Sequence, residues 1–230
     1  MTSSVAAAAL ATFVGLLGNW SIVADGFSHF RVQLALMALP LGVAALFFDR
    51  RLTLAAAVIA AANIALASTY ARTPVVAAAG GTTLKVMTIN VLHGVDNDPQ
   101  IVAQIAAQNP DVILLQELKQ SRLSLLQHLM RDYPWQVSCA GAWACDVAIV
   151  SRRRWETAQA QPVGSAGAKM AWARFGQEWG GALVASVHLR WPIFSDQSAQ
   201  LRGVGEVLAS HRGPVVVAGD LDSAAWSAAV

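Results

Sequence analysis

Five polar side chains stand where apolar runs end. Asn90 closes Thr88-Ile89-Asn90-Val91, Glu117 follows Leu114-Leu115-Gln116, and His188 closes Ala185-Ser186-Val187-His188. Asp220 and Asp222 follow Val215-Val216-Val217-Ala218-Gly219. Carboxylates and an amide oxygen converging at one edge make a hard-oxygen site suited to Mg²⁺. A histidine beside them can hold a phosphate oxygen. Each residue also has an ordinary reading. A glutamate after a strand is commonly a solvated loop residue, and a histidine at a strand end is commonly a satisfied surface residue. Asp-x-Asp after glycine often forms an Asx turn or a helix cap. The ordered set of all five is what makes coincidence a poor account.

The elements that must carry these residues have the rhythm of an α/β region. Leu84 to Val91 alternates and is β-branched, which predicts a strand. Asp98-Pro99 starts a helix, with Asp98 able to cap and Pro99 at the first helical position. Ile101, Val102, Ile105 and Ala106 form its apolar face, and Asn109-Pro110 ends it. Asp111 to Gln116 reads as a buried strand and Ser121 to Arg131 as a second helix. Shorter strands are expected at Trp135 to Ser138, Asp146 to Ser151 and Met170 to Phe175. Ala182 to Leu189 is a strong strand, Ser195 to His211 a helix, and Pro214 to Ala218 a last strand. Strict βαβ alternation is missing, which favours a mixed sheet over a doubly wound parallel one.

Upstream, the composition changes. The chain of 230 residues is 55% hydrophobic and 13% charged, about half the charge of an ordinary soluble domain. Between Met1 and Ala71 the only charged side chains are Asp25, Arg31, Asp49, Arg50 and Arg51. Three apolar runs, Val5 to Ala24, Val32 to Phe48 and Leu52 to Thr69, are expected to cross a bilayer as helices, which needs about 20 apolar residues each. The second contains Pro40, and the alanine-rich third is the least hydrophobic. No lysine or arginine precedes the first run, so an anchor is expected rather than a cleaved leader. The runs carry no interior charge of the kind that marks a translocation path. The formal net charge of +2 gives no nucleic-acid footprint. Arg50 and Arg51 vote for the cytoplasmic side. That vote puts the Asp25 connection and everything after Thr69 outside, on the periplasmic or extracellular face of a bacterial inner membrane. The only cysteines, Cys139 and Cys145, are either a disulfide closing a small loop in that oxidising compartment or two unpaired thiols in adjoining strands. The division expected is a membrane anchor over 1–71, a linker over 72–83 rich in Pro, Gly and small residues, and an α/β domain over 84–230.

The quoted residues resemble the endonuclease/exonuclease/phosphatase superfamily. Asn90 in TINVLH, Glu117 in LLQEL, Asp146 to Arg152 in DVAIVSR, His188 in SVHL, and Gly219-Asp220-Leu221-Asp222 followed by Ala225-Trp226-Ser227 carry the similarity, from about Leu84 onward. The form it is most similar to is the bacterial membrane-anchored type, whose helices include a D-x-x-S-H-F-R-like stretch. Here that stretch is Asp25-Gly26-Phe27-Ser28-His29-Phe30-Arg31.

The resemblance implies a two-sheet mixed β-sandwich flanked by helices, and hydrolysis of a phosphate ester by metal-assisted attack of water. Mg²⁺ is the implied cofactor, with Mn²⁺ an alternative. Glu117 would be the principal metal ligand, helped by Asn90. His188 would bind the scissile phosphate, and Asp220 would orient or deprotonate the water. Two departures stand out. The family pattern is Asp-x-Asn, and Asp222 replaces the amide with a group that only accepts hydrogen bonds when ionised. The family's closing Asp-His pair is expected beyond Trp226, whereas the sequence runs to Val230. The fold is therefore expected to be C-terminally incomplete, and the polypeptide to hydrolyse phosphodiesters slowly or not at all. The implied substrate is a phosphate ester of nucleic acid, phospholipid or a small molecule, and the implied neighbour is the bilayer. The competing expectation is a membrane-tethered binding module of the same fold that does no chemistry.

Overall fold

Successive side chains of a strand point to opposite faces, and that alternation sorts the buried residues of the sheets into layers. The computed structural model describes residues 1–68, 83–92, 94, 97–141, 145–192 and 195–228. The linker expected over 72–83 lies outside them, except for Thr83. The chain divides into two compact units. One comprises Ala78–Trp191 and Ser195–Asp222, the other Met1–Ala77, Pro192–Phe194 and Ser223–Val230.

The larger unit holds two mixed four-stranded sheets. The first contains β1 (Val86–Asn90), β2 (Val112–Gln116), β3 (Trp135–Ser138) and β4 (Ala148–Ser151) in the order β1-β2-β4-β3. The second contains β5 (Trp155–Val163), β6 (Ala168–Phe175), β7 (Leu183–His188) and β8 (Val215–Asp220) in sequence order. Val112, Leu114, Val147 and Ile149 meet Ala171, Ala173, Phe175 and Val184 between the sheets. The opposite face of the first sheet, with Ile113, Leu115 and Val150, is covered by Ile101 and Ile105 of α5 (Asp98–Gln108) and Leu125 and Leu129 of α6 (Leu123–Leu129). The opposite face of the second, with Leu183, Ala185 and Val187, is covered by Val204 of α7 (Gln197–Ala209). Helix, sheet, sheet and helix thus form the layered sandwich. Both pairs that build the site are parallel: β1 on β2, with Asn90 opposite Gln116, and β7 on β8, with His188 opposite Asp220. Between the sheets the buried Gln116 amide donates to Ser186 Oγ at 2.9 Å, tying the two central strands close to the site.

The smaller unit is helical: α1 (Thr2–Gly15), α2 (Ile22–Ser28), α3 (Arg31–Ala45) and α4 (Arg50–Ser68). Small residues let the helices approach closely. Gly42 faces Ala56, and Ala35, Ala38, Ala45 and Ala60 are buried. Asn63 of α4 donates to Thr12 Oγ1 of α1 at 2.9 Å.

The three expected spans are matched only in part by the helices. Among the described residues, only α4 is long and apolar enough to cross a membrane alone, and α2 with α3 passes only as a pair bent by 53°. The first run holds two helices: α1 ends at Gly15, and Ser21 caps α2, its Oγ accepting from Ala24 N at 3.4 Å. That leaves α1 with 14 residues, about 21 Å at 1.5 Å per residue. The run read as least hydrophobic is the one that meets the length.

Candidate functional site

Asn90, His188 and Asp220 occupy equivalent places. Each is the last residue of a parallel strand. Their parity matches that of Val86, Val184 and Ala218, which pack between the sheets, so all three side chains turn toward the cleft between the sheet ends. Glu117 gets there differently. Alternation after Leu114 and Gln116 would send it to the outer, helix-covered face. Its backbone instead adopts φ 58°, a left-handed conformation that costs a non-glycine residue about 1–2 kcal/mol. This turn brings its carboxylate to Asn90, whose Nδ2 donates to Glu117 Oε1 at 3.0 Å and to Asp220 Oδ2 at 2.7 Å. Asn90 Oδ1 accepts from Leu92 N at 2.9 Å, which sets the orientation of the amide.

Glu117, His188 and Asp220 each offer a ligand atom, and these atoms lie within 4.8 Å of one another. Two carboxylates and an imidazole at that spacing fit a divalent cation: the oxygens suit Mg²⁺ and Mn²⁺, while the nitrogen suits the softer of the two. Asp222 stands next to this group. Its N–H donates to Asp220 Oδ1 at 3.0 Å and its φ is 49°, so Asp220-Leu221-Asp222 forms a tight turn at the site. Burial pushes the Asp222 carboxyl above its ordinary range, and the neighbouring Asp220 and Glu117 push the same way against His188 and Lys169. The acids are crowded enough that a bound cation would be electrostatically welcome.

Two partners of His188 had no assigned role in the sequence. Asp146 Oδ1 lies 2.9 Å from His188 Nδ1, and Asp146 Oδ2 accepts from Lys169 Nζ at 2.7 Å. A carboxylate only accepts, so His188 Nδ1 donates to it. Burial alone would raise the Asp146 carboxyl. Hydrogen bonds from His188 and Lys169 outweigh it and hold the pKa below the usual carboxylate range. Asp146 is itself fixed: its carbonyl accepts from Leu118 N at 2.8 Å, and it follows Cys145, which is disulfide-bonded to Cys139. Of the two alternatives left by the sequence for these cysteines, the structure has the disulfide. The one signal for Lys169 was a cation at the start of a largely apolar strand; it pairs directly across from His188.

The segment leaving β1 is also held. The buried Arg122 donates to the carbonyls of Val91 and Leu92 at 2.9 and 3.3 Å, to Asn97 Oδ1 at 2.8 Å, and to Asp98. The structure thus brings Asn90, Glu117, His188 and Asp220 into one cluster, with Asp222 at its edge.

The D. rerio TDP2 structures share this fold. A humanized form matches with TM-score 0.50 at 19% identity, covering 60% of this chain and 62% of that one. A D. rerio TDP2 complexed with single strand DNA product matches with TM-score 0.50 at 20% identity, covering 60% of each chain. Sphingomyelinase C from Streptomyces griseocarneus matches with TM-score 0.49 at 18% identity, covering 64% of this chain and 68% of that one. The chain therefore spans less than two thirds of the length of these TDP2 structures. No curated protein sequence matches it. The sequence profile described as Endonuclease/Exonuclease/phosphatase family matches residues 87–230. That match takes in every residue of the cluster and more than half of the sequence, and the chain belongs to the Endonuclease/Exonuclease/phosphatase family.

Proposed function

We propose that the chain is a membrane-anchored, divalent-metal-dependent phosphoesterase that hydrolyses a phosphodiester. The observation that carries this reading is the convergence of Glu117, His188 and Asp220 within 4.8 Å at the ends of parallel strands. Family membership makes hydrolysis of a phosphate ester the reaction to test.

Glu117 and Asp220 would hold the cation, and Asn90, bridging both, would keep them at the separation needed to share it. When bound, the cation, Mg²⁺ or Mn²⁺, would neutralise charge on a phosphate oxygen. His188 presents Nε2 to the same space. Once protonated, its imidazolium would donate to a phosphoryl oxygen, and Asp146 would stabilise that charge through Nδ1. Asp220, hydrogen-bonded on both oxygens, is placed to orient a water for attack. Asp222 would draw in a second cation; burial and the neighbouring Asp220 and Glu117 push its carboxyl above the ordinary range.

Support for anchoring is the outward surface of the helices. Leu10, Phe13, Leu36, Val43, Leu54 and Val58 are all about half exposed or more, and Phe47 and Phe48 are 80% exposed. An apolar surface of this extent is rare on a soluble protein and is natural against lipid. The orientation with Arg50 and Arg51 inside the cell is part of the same proposal.

The test uses the full chain in detergent micelles with bis(p-nitrophenyl) phosphate, single-stranded DNA oligonucleotides and phospholipid in separate arms. Turnover that needs Mg²⁺ or Mn²⁺ and is lost in Glu117→Ala is the expected result. Wild-type protein that neither binds Mn²⁺ nor turns over any arm would overturn the reading in favour of the non-catalytic tethered module. The same rates measure whether turnover is as slow as the sequence departures imply.

A further inference from the structure

Asn90 and Glu117 stand where two neighbouring parallel strands, β1 and β2, leave their sheet. Past Val91 N, which donates to the Gln116 carbonyl at 3.0 Å, both chains turn through left-handed residues, Leu92 at φ 51° and Glu117 at φ 58°. Conformations of this kind persist only where the surroundings hold them. Arg122 is the side chain that joins the two departing segments. It sits in the short turn Gln120–Arg122 that follows Glu117 and is 6% exposed. Its own segment is tied back: Arg122 N donates to the Lys119 carbonyl, and Lys119 N to the Glu117 carbonyl, each at 2.9 Å. Across the gap, Arg122 Nη1 donates to the Val91 carbonyl at 2.9 Å and to the Leu92 carbonyl at 3.3 Å. Its Nη2 donates to Asn97 Oδ1 at 2.8 Å and to Asp98 Oδ1. Asp98, the first residue of α5, is itself buried and neutralises the guanidinium, which would otherwise be costly to bury.

We propose that Arg122 is a positioning residue for the cation site: it fixes the backbone plane that orients Asn90 and, through Asn90, the spacing of Glu117 and Asp220. The inference rests on the phosphoesterase reading for what the site holds. A single peptide plane makes the connection. The Val91 carbonyl that Arg122 grips and the Leu92 N–H belong to one planar peptide group. That N–H donates to Asn90 Oδ1 at 2.9 Å, and the amide so oriented donates to Glu117 Oε1 and Asp220 Oδ2. Rotation of the plane would swing the Asn90 amide away from both acids. Arginine suits the task because its planar fork aims five donors in fixed directions, enough for two carbonyls, an amide oxygen and a carboxylate. A lysine ammonium gathers its donors on one atom and cannot occupy both Nη positions.

Calorimetric Mn²⁺ titrations of the full chain in detergent micelles test this. Arg122→Ala and Arg122→Lys are each expected to weaken Mn²⁺ binding about 10–100-fold. With bis(p-nitrophenyl) phosphate, the Mn²⁺ concentration giving half-maximal turnover should rise by the same factor, while KM for the ester at saturating Mn²⁺ stays within about twofold. Leu114→Ala controls for a general loss of stability and is expected to leave Mn²⁺ affinity within about twofold. If Arg122→Ala does not fold, as read from circular dichroism, Arg122→Lys decides the matter, because it keeps a cation beside Asp98. Amide exchange in peptides covering 90–92 gives a readout without metal, expected to be about tenfold faster in Arg122→Lys than in wild type. Mn²⁺ affinity within about twofold of wild type in the lysine variant, or weakened equally by Leu114→Ala, overturns the proposal, and so does unchanged exchange at 90–92. A wild type that binds no Mn²⁺ sinks the phosphoesterase reading instead, and exchange at 90–92 then decides by itself whether Arg122 holds the peptide plane behind Asn90.

Discussion

Asp146 joins an imidazole and an ammonium to one carboxylate, and the geometry predicts what its loss does. Asp146→Asn keeps the shape, but its amide no longer selects the Nδ1–H tautomer of His188. Turnover is expected to fall about 10–100-fold, as for other residues that orient a ligand from behind, while Mn²⁺ affinity measured by titration calorimetry changes less. The pH dependence has a definite sign. A carboxyl whose pKa is depressed in the folded state contributes stability above its unfolded value, about 3.9, and loses it as pH falls through the lower folded value. Urea melts of wild type and Asp146→Asn should therefore differ at neutral pH, begin to converge as the pH falls past about 4, and meet only below the depressed folded value. Asn90, Glu117, His188, Asp220 and Asp222 were legible as polar residues at the ends of apolar runs. Lys169 and the role of Asp146 were not. Both depend on which strand lies beside which, and the pairing of Lys169 with His188 leaves no mark on either segment alone. The left-handed backbone of Glu117 was equally hidden, since alternation by itself points that side chain the other way.

At the scale of elements, the parallel contact of β7 with β8 aligns His188 with Asp220, and Gly219 makes it possible. Its φ is 151°, and a Cβ there would stand 2.0 Å from the Val187 carbonyl oxygen. Gly219→Ala is expected to separate these strand ends and abolish turnover while leaving the first sheet folded, as read from exchange protection of β2. Leu114→Ala, in the apolar layer between the sheets, is expected to cost about 2–5 kcal/mol in a urea melt without altering the site directly. The strands β1, β2, β3, β4, β6, β7 and β8 all fall within or close to the runs the sequence marked. β5 escaped notice because Glu156, Thr157, Gln159, Gln161 and Pro162 give it the look of a loop. It is an edge strand, where a proline and an exposed polar face are tolerated. Side-chain capping sets the start of α7: Asp196 accepts from Ala199 N at 2.8 Å, and the helix starts at the next residue rather than at Ser195.

For the whole molecule, composition announced a helical, apolar first part, and among the described residues one helix, or two with the bent pair, meets the length and hydropathy of a span. Hydropathy reports that a run is apolar and not where its helix stops: α1 ends at Gly15, inside the first run. If the helices anchor the protein, it should stay with the membrane pellet after alkaline carbonate washing. The Cys139–Cys145 disulfide has a sequence separation of 6. Its reduction is expected to lower stability by about 2 kcal/mol, measurable as a shift of the denaturation midpoint with dithiothreitol.

The bond between Asn90 and Asp220 joins residues 130 positions apart. During synthesis the N-terminal helices and the first sheet leave the ribosome well before β8, and long-range pairings form late because a large loop must close first. The three acids and the histidine therefore cannot meet until β8 has emerged, and on the proposed reading a nascent chain would be inert toward phosphate esters up to that moment.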